Sequence, residues 1–163
     1  MRFKLLFVAL LFCNIVYGQG VYTYKGLAIT AAYNNVPLQC DSDVFAYKDS
    51  LVRITINMYK RSVSDISVKN LSNKPIFVKW KRVSAYGIDN DFFSCADTYF
   101  IDSKTTDEDK LYKDEIKSYI LNNLIDQMFS KRKKNQKGGV HVAVVVDDRL
   151  IDYRFQLSAN PIK

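Results

Sequence analysis

The stretch that decides the fold is residues 140–157, VHVAVVVDDRLIDYRFQL. From Val140 to Val146 both sets of alternating residues are almost entirely apolar, which is typical of a central strand that is covered on both faces. From Ile151 to Leu157 apolar residues alternate with polar ones, which is typical of a strand with one solvated face. Asp147 and Asp148 lie between the two runs and predict a turn. The stretch therefore predicts a C-terminal β-hairpin.

The chain before this hairpin carries further strand patterns. Residues 51–59 predict a strand with an apolar and a polar face, formed by Val52, Ile54, Ile56 and Met58 against Arg53, Thr55 and Asn57. Residues 66–80 contain two apolar arms around a polar turn, Asn70 to Lys74, and this order predicts a second hairpin. Near the start, two strand-like runs flank Gly26, and Asn34-Asn35 breaks the pattern.

The spacing of apolar residues changes after residue 105. Thr106 and Asp109 have the spacing of a helix cap. Apolar residues then recur every four positions, with two more beside them: Tyr112, Ile116, Ile120, Leu121, Leu124, Ile125 and Met128. We therefore expect an amphipathic helix over about 106–134. The predicted fold class is α+β: an antiparallel β-sheet or small β-sandwich with one long amphipathic helix inserted before the C-terminal β-hairpin.

The N-terminus has the pattern of a targeting segment. Arg2 and Lys4 precede an apolar run from Leu5 to Phe12, and Val16-Tyr17-Gly18 resembles a signal peptidase site. The run is far shorter than the ~20 residues that span a bilayer. We expect a signal peptide over residues 1–18 and a single β-rich domain over 19–163, in an extracytoplasmic location, secreted or in the periplasm or envelope. Removal of Arg2 and Lys4 lowers the formal net charge from +7 to +5.

Export bears on the state of the cysteines. Cys13 leaves with the signal peptide, so Cys40 and Cys95 are the remaining pair. An oxidising compartment favours a disulfide between them, and closing a loop of ~55 residues contributes about 4 kcal/mol by the chain-entropy argument. The alternative is two separate buried thiols. A metal site is not expected, because two cysteines and the distant His141 do not supply the four closely spaced ligands that zinc prefers.

No catalytic residue and no cofactor is predicted. His141 is the only histidine, so a Ser–His or Cys–His mechanism would have to use it. Its position inside a valine-rich strand indicates instead a packed side chain. The acidic residues cluster in turns and at the start of the predicted helix, and the chain has no Gly-rich phosphate loop.

A basic run stands at the end of the predicted helix, formed by Lys131, Arg132, Lys133, Lys134 and Lys137. Such a run can contact an anionic surface such as phospholipid or polysaccharide. The alternative interpretation is a solvated helix end, since cations at a helix C-terminus suit the macrodipole. Nucleic acid is not expected as a partner, because the protein is exported and has no basic motif with interleaved aromatic residues.

The segment Ile66 to Trp80, ISVKNLSNKPIFVKW, resembles uncharacterised secreted or cell-envelope β-sandwich proteins of Bacteroidetes-type bacteria, as does Gln19 directly after the expected cleavage site. The resemblance covers a strand-turn-strand segment and implies a β-sandwich at the cell envelope, with no functional residues assigned. The same segment contains Asn70-Leu71-Ser72, a glycosylation sequon that matters only in a eukaryotic host.

Together, these patterns favour an exported, non-enzymatic β-rich module that acts through contacts with a protein partner or a cell-envelope component. One alternative is a binder of anionic lipid or glycan surfaces through the basic helix end. The other is a secreted enzyme whose site the sequence does not reveal.

Overall fold

A computed structural model describes residues 20–58, 63–80, 84–86, 92–94, 108–122, 126, 128–129 and 134–162. The described strands in chain order are β1 Tyr22–Tyr24, β2 Leu27–Tyr33, β3 Val36–Pro37, β4 Cys40–Asp41, β5 Val44–Lys48, β6 Val52–Met58, β7 Val63–Asn70, β8 Ile76–Val78, β9 Ser84–Tyr86, β10 Phe92–Ser94, β11 Asp109–Leu111, β12 Ile116–Asn122, β13 Gln136–Val146 and β14 Arg149–Pro161. The predicted signal peptide, residues 1–18, lies outside the described part of the chain.

These strands form two antiparallel sheets. Sheet A has the order β1-β2-β14-β13-β8-β11, with β3 on β2, β9 on β13 and β10 on β9. Sheet B has the order β12-β7-β6-β5-β4. The predicted C-terminal hairpin is confirmed, because β13 pairs with β14 along its whole length. The predicted strand at 51–59 is confirmed as β6, with Val52, Ile54, Ile56 and Met58 buried.

Tight turns fix the register of four neighbouring strand pairs. In each turn two successive residues have positive φ: Lys25 and Gly26, Asn34 and Asn35, Ser42 and Asp43, and Asp147 and Asp148. Two-residue loops of this conformation match the right-handed twist of the strands that they join. Glycine, asparagine and aspartate tolerate positive φ better than most residues, so the sequence itself specifies most of these turns.

The two sheets share one hydrophobic core. Their inward residues belong to a single cluster of buried side chains, which includes Ile29, Phe155 and Leu157 from sheet A and Ile54 and Ile66 from sheet B. Face-to-face packing of this kind is the arrangement of a β-sandwich.

An aromatic cluster joins the sheets at one end of the core. The ring of Tyr33 lies 4.3 Å from that of Tyr47 and 5.4 Å from that of Phe155. The hydroxyl of Tyr153 donates to Asp49 Oδ2 at 3.0 Å, and the hydroxyl of Tyr47 donates to the same oxygen at 3.3 Å. The other oxygen of Asp49 accepts the backbone N–H groups of residues 51 and 52. The carboxylate of Asp49 thus stabilises the β5–β6 turn and also links the two sheets. We call this contact of Asp49 with Tyr47 and Tyr153 the joint.

The predicted hairpin over residues 66–80 is wrong in its pairing. Both arms are strands, but β7 lies in sheet B and β8 lies in sheet A, so the chain crosses between the sheets. Buried Asn70 holds the crossing: its Nδ2 donates to the carbonyls of Lys74 at 2.8 Å and Leu111 at 3.0 Å. Its Oδ1 accepts the backbone N–H and the hydroxyl of Ser72. Local sequence cannot distinguish such a crossing from a hairpin.

The predicted helix over about 106–134 is wrong, and with it the α+β class. Residues 109–111 and 116–122 are strands. The predicted buried stripe contains Ile116 and Ile120, which are both 59% exposed, whereas neighbouring Tyr119 is buried. A spacing of four residues places side chains on one face of a strand as well as of a helix. The described part of the chain is almost entirely β and contains no helix long and apolar enough to cross a membrane.

Candidate functional site

The outward face of sheet B forms a platform four strands wide. Its side chains come from β5, β6, β7 and β12, and the register aligns them in three rows. The first row is Lys48, Arg53, Lys69 and Ile116; the second is Ala46, Thr55, Ser67 and Ser118; the third is Val44, Asn57, Asp65 and Ile120. Directly opposite residues of antiparallel strands point to the same face, so each row runs across the sheet.

The first row brings three cations together on adjacent strands. Lys48 is opposite Arg53, and Arg53 is opposite Lys69. We call these three residues the cationic row. Like charges directly opposite one another are destabilising. Lys69 forms an ion pair with Asp114 at 3.1 Å, while no ion pair joins Lys48 or Arg53 to another described residue. The row therefore carries positive charge that the described residues do not neutralise.

The rest of the platform is small, polar and connected by hydrogen bonds. Asn57 Nδ2 donates to Asp65, and the hydroxyl of Ser67 donates to Asp65 Oδ1 at 3.1 Å. The hydroxyls of Ser67 and Ser118 share a hydrogen bond of 2.8 Å. Asp65 is buried, and these two donors partly replace the water that its carboxylate gives up. The second row thus makes a flat, ordered floor beside the cationic row.

Apolar side chains border the platform along β12, which lies at one edge of sheet B. Ile116 ends the first row and Ile120 ends the third, and both are exposed. Tyr112, which is 55% exposed, lies in the turn between β11 and β12 that also contains Glu115. Lys110 Nζ stands 5.1 Å from the centre of the Tyr112 ring. The edge next to the cationic row therefore presents apolar and aromatic surface to water.

The outward face of sheet A has a different character. A shallow groove of about 410 Å³ lies near the β13–β14 turn, with Phe77 and Val145 among its lining residues. Its lysines are paired: Lys74 Nζ lies 2.5 Å from Asp147, and Lys79 pairs with Glu108. The two lysines of the groove are thus paired, whereas Arg149 and Arg154, exposed in β14 of the same sheet, form no ion pair with another described residue.

His141 also lies on the outward face of sheet A, and it is half-buried. Its Nε2 is 3.0 Å from Asp152 Oδ1, in an orientation that makes no hydrogen bond. The residue opposite His141 in β9 is Ser84. Within that part, no group of three His, Cys, Asp or Glu side chains could hold a metal ion.

Two residues of the basic run, Lys134 and Lys137, lie within the described part of the chain. Lys134 lies in a bend before β13, and Lys137 is an exposed residue of β13. Neither therefore belongs to a helix end as expected. Lys131, Arg132 and Lys133 lie outside the described residues, so their contact with an anionic surface stays a prediction.

The predicted disulfide likewise has only one described partner. Cys40 begins β4 at the edge of sheet B and is half-buried on the core side, opposite Phe45. Its thiol is free within the described residues, and Cys95 lies outside them. Burial, with added repulsion from Asp43, raises the pKa of the Cys40 thiol, so the thiol form is favoured at neutral pH.

Sequence reasoning recognised the polar face of β6 but missed the cationic row. Arg53 was correctly placed on a solvated face. No local pattern indicated that Lys48 and Lys69 lie beside it, because they belong to other strands. One signal was available: Asp49 to Leu51 is short enough for a hairpin loop, which would place Lys48 opposite Arg53. The position of Lys69 depends on the pairing of β6 with β7, which follows a longer connection.

The chain matches no protein-family model and no curated protein. The site is therefore interpreted from its own geometry.

Proposed function

We propose that this protein is an exported, non-enzymatic β-rich module that acts through contacts of its surface with a protein partner or another component of the cell envelope. The platform on sheet B is its contact surface. The observation that carries this proposal is the combination, on one face, of Lys48 and Arg53, which have no counterion among the described residues, with exposed aliphatic side chains. Such surfaces are costly for a protein that binds nothing, because like charges repel and exposed apolar area is unfavourable in water.

The ordered floor of the platform supports the same proposal. Its hydrogen bonds hold Ser67, Ser118, Asn57 and Asp65 in place before a partner arrives. A partner that binds a preorganised surface loses less conformational entropy than one that binds mobile side chains. Rigid strands of a packed sheet also keep the three rows in register.

Site-specific photo-crosslinking tests the proposal. A photoreactive residue at Ile116, on the platform, is compared with one at Leu150, an aliphatic residue that is 44% exposed on sheet A. In the native envelope or extracellular fraction we expect crosslinks to a discrete component from position 116 and few from position 150. Equal crosslinking from both positions, or crosslinking from position 150 alone, would rule out the platform as the contact surface.

Export and the Cys40–Cys95 disulfide belong to the same proposal. If the mature protein begins at Gln19 and passes through an oxidising compartment, its mass should lack residues 1–18 and both thiols should resist alkylation until a reductant is added. Mass spectrometry of the protein from its native host measures both properties. An intact N-terminus would contradict export, and two thiols alkylated in denaturant without reductant would contradict the disulfide.

A further inference from the structure

The cationic row has no explanation in the folding of sheet B. Neighbouring strands are about 4.8 Å apart, so the backbones that carry Lys48, Arg53 and Lys69 lie within ~10 Å of one another. Lysines on sheet edges protect against aggregation, but β6 and β7 are interior strands of sheet B. Solubility does not require cations to be opposite one another either. The alignment is best explained by a negatively charged partner.

The acidic residues of the platform lie away from this end. Asp65 is in the third row, four residues along β7 from Lys69, and Asp41 in β4 is opposite Val44 of the same row. Strands rise about 3.4 Å per residue, so roughly 13 Å separates the first row from the third. At the end with the cationic row, Asp114 pairs with Lys69, and the carboxylate of Asp49, in the β5–β6 turn, is bonded to turn N–H groups and tyrosine hydroxyls. The platform is thus polarised, with one positive end.

Exposed apolar groups lie beside the positive end, as Ile120 does at the opposite end. Ile116 continues the cationic row, and Tyr112 lies at the other end of the turn that leads into β12. A soluble polyanion, such as a charged glycan, would pair with the cations and leave Ile116 in water. A bilayer surface accommodates both groups, since anionic headgroups meet the cations while aliphatic and aromatic side chains enter the interface.

We propose that the positive end of the platform binds the surface of an anionic phospholipid bilayer. Lys48 and Arg53 contact headgroup phosphates, and Ile116 with Tyr112 enters the boundary between headgroups and acyl chains. This inference rests on the proposed function, because it names the partner of the same contact surface. It differs from the basic run at residues 131–137, which lies elsewhere in the sequence and is not needed for this contact.

Vesicle cosedimentation tests the inference with the mature protein, residues 19–163. The vesicles are phosphatidylcholine alone and phosphatidylcholine mixed with phosphatidylglycerol. We expect binding to the mixed vesicles only, decreasing as salt rises, because counterions screen exposed charges. Each cation near such a surface contributes about fivefold in partitioning, so the double variant K48Q/R53Q should bind about 25-fold more weakly.

Two matched controls locate the contact. The variant R149Q/R154Q loses the same net charge from exposed positions of β14 in sheet A and should change binding less than about threefold, a purely long-range effect. Ile116→Ser should weaken binding about tenfold through the loss of apolar contact, whereas Leu150→Ser should have no measurable effect. Circular dichroism and thermal unfolding confirm that each variant is folded.

The outcomes separate this inference from the proposed function. Equal losses in K48Q/R53Q and R149Q/R154Q would mean that net charge alone attracts the protein, and would overturn the inference. Absence of binding to mixed vesicles would overturn it as well. If the wild-type protein instead bound an anionic polysaccharide through Arg53, or if position 116 crosslinked only to a protein, the platform would remain the contact surface and only the lipid assignment would fail.

Discussion

The two outward faces of this molecule rest on one core but arrange their cations differently. On sheet A, Lys74 is paired with Asp147, Lys79 with Glu108, and His141 faces Asp152. On sheet B, Lys48 and Arg53 are directly opposite each other without a described counterion. Both faces are equally available for ion pairs, since both are built from antiparallel strands. The difference lies in the alignment of three cations on neighbouring strands of sheet B, on which the proposed contact surface depends.

This contrast depends on a rigid connection between the sheets. Side chains of each strand alternate between the shared core and the outward face. A displacement of one sheet in the core would therefore also change which residues the other sheet exposes. Three features hold the sheets together: the core itself, the crossing at Asn70, and the joint at Asp49. The following predictions test them in turn, and the last tests the charges themselves.

The largest effect is expected in the shared core. Phe155→Ala removes a buried ring that packs against Tyr33 and Tyr47, from both sheets, and leaves a cavity. Such changes cost about 3 to 5 kcal/mol in the free energy of unfolding. Urea denaturation followed by circular dichroism measures the cost. Leu150→Ala, on the exposed face of the same strand, should cost less than about 0.5 kcal/mol. Similar costs for both would mean that the inward and outward faces are wrongly assigned.

The crossing between the sheets should be nearly as sensitive. Asn70→Ala leaves the carbonyls of Lys74 and Leu111 without their side-chain donor in a buried site, at a cost of about 2 to 4 kcal/mol. Asn73→Ala, an exposed change in the same connection, is the control and should cost little. A neutral effect of Asn70→Ala would show that the crossing does not depend on these bonds.

The same bonds bear on the sequon at Asn70. Its Nδ2 is buried and donates two hydrogen bonds, so a glycan on this nitrogen is incompatible with the folded crossing. We expect the folded protein to remain unmodified at Asn70 when it is produced in a eukaryotic secretory pathway. Tryptic mass spectrometry of the secreted product checks this, and a folded product with a glycan at Asn70 would contradict the described crossing.

The joint at Asp49 should make stability fall in alkaline solution. Burial and the nearby carboxylate of Asp49 raise the pKa of Tyr47 to about 12, and the pKa of Tyr153 is also raised, mainly by burial. A pKa raised by folding stabilises the protein fully below the unfolded value of about 10, and this contribution is lost as pH rises towards 12. The loss from Tyr47 should be on the order of 1 to 2 kcal/mol.

Urea midpoints at a series of pH values measure this loss. Tyr47→Phe cannot ionise and should make the decline between about pH 10 and 12 less steep. Tyr112→Phe, an exposed tyrosine outside the joint, should leave the decline unchanged. Identical pH profiles for wild type and Tyr47→Phe would show that this joint does not govern alkaline stability.

The smallest effect should differ in sign between the two outward faces. Lys74→Gln removes a paired cation from sheet A and should destabilise by a few tenths of a kcal/mol, as is usual for exposed ion pairs. Arg53→Gln removes a cation between two others on sheet B and should stabilise by about the same amount. Both effects should shrink in high salt. Destabilisation by both would mean that Arg53 has a counterion and would end the contrast between the faces.

Part of the candidate site was accessible from sequence. Alternation in residues 52–58 correctly placed Arg53, Thr55 and Asn57 on a solvated face, because successive side chains of a strand point to opposite sides. The remaining members of the platform come from strands that are distant in sequence. Lys69 and Ile116 are opposite each other only because β12 pairs with β7, and no local pattern encodes that register.

The sequence by itself determined several of the strands, with their buried faces, and several of the turns. The β13–β14 hairpin is the clearest case: its alternation and the pair Asp147-Asp148 act within a few residues and need no distant partner. Tertiary structure alone decided which sheet each strand joins. It separated β7 from β8, and it made a strand of Ile116 to Asn122, whose spacing of four fits either a helix or a strand. The reason is physical: side-chain periodicity is a local property, whereas sheet membership depends on backbone hydrogen bonds and core packing between segments far apart in the chain.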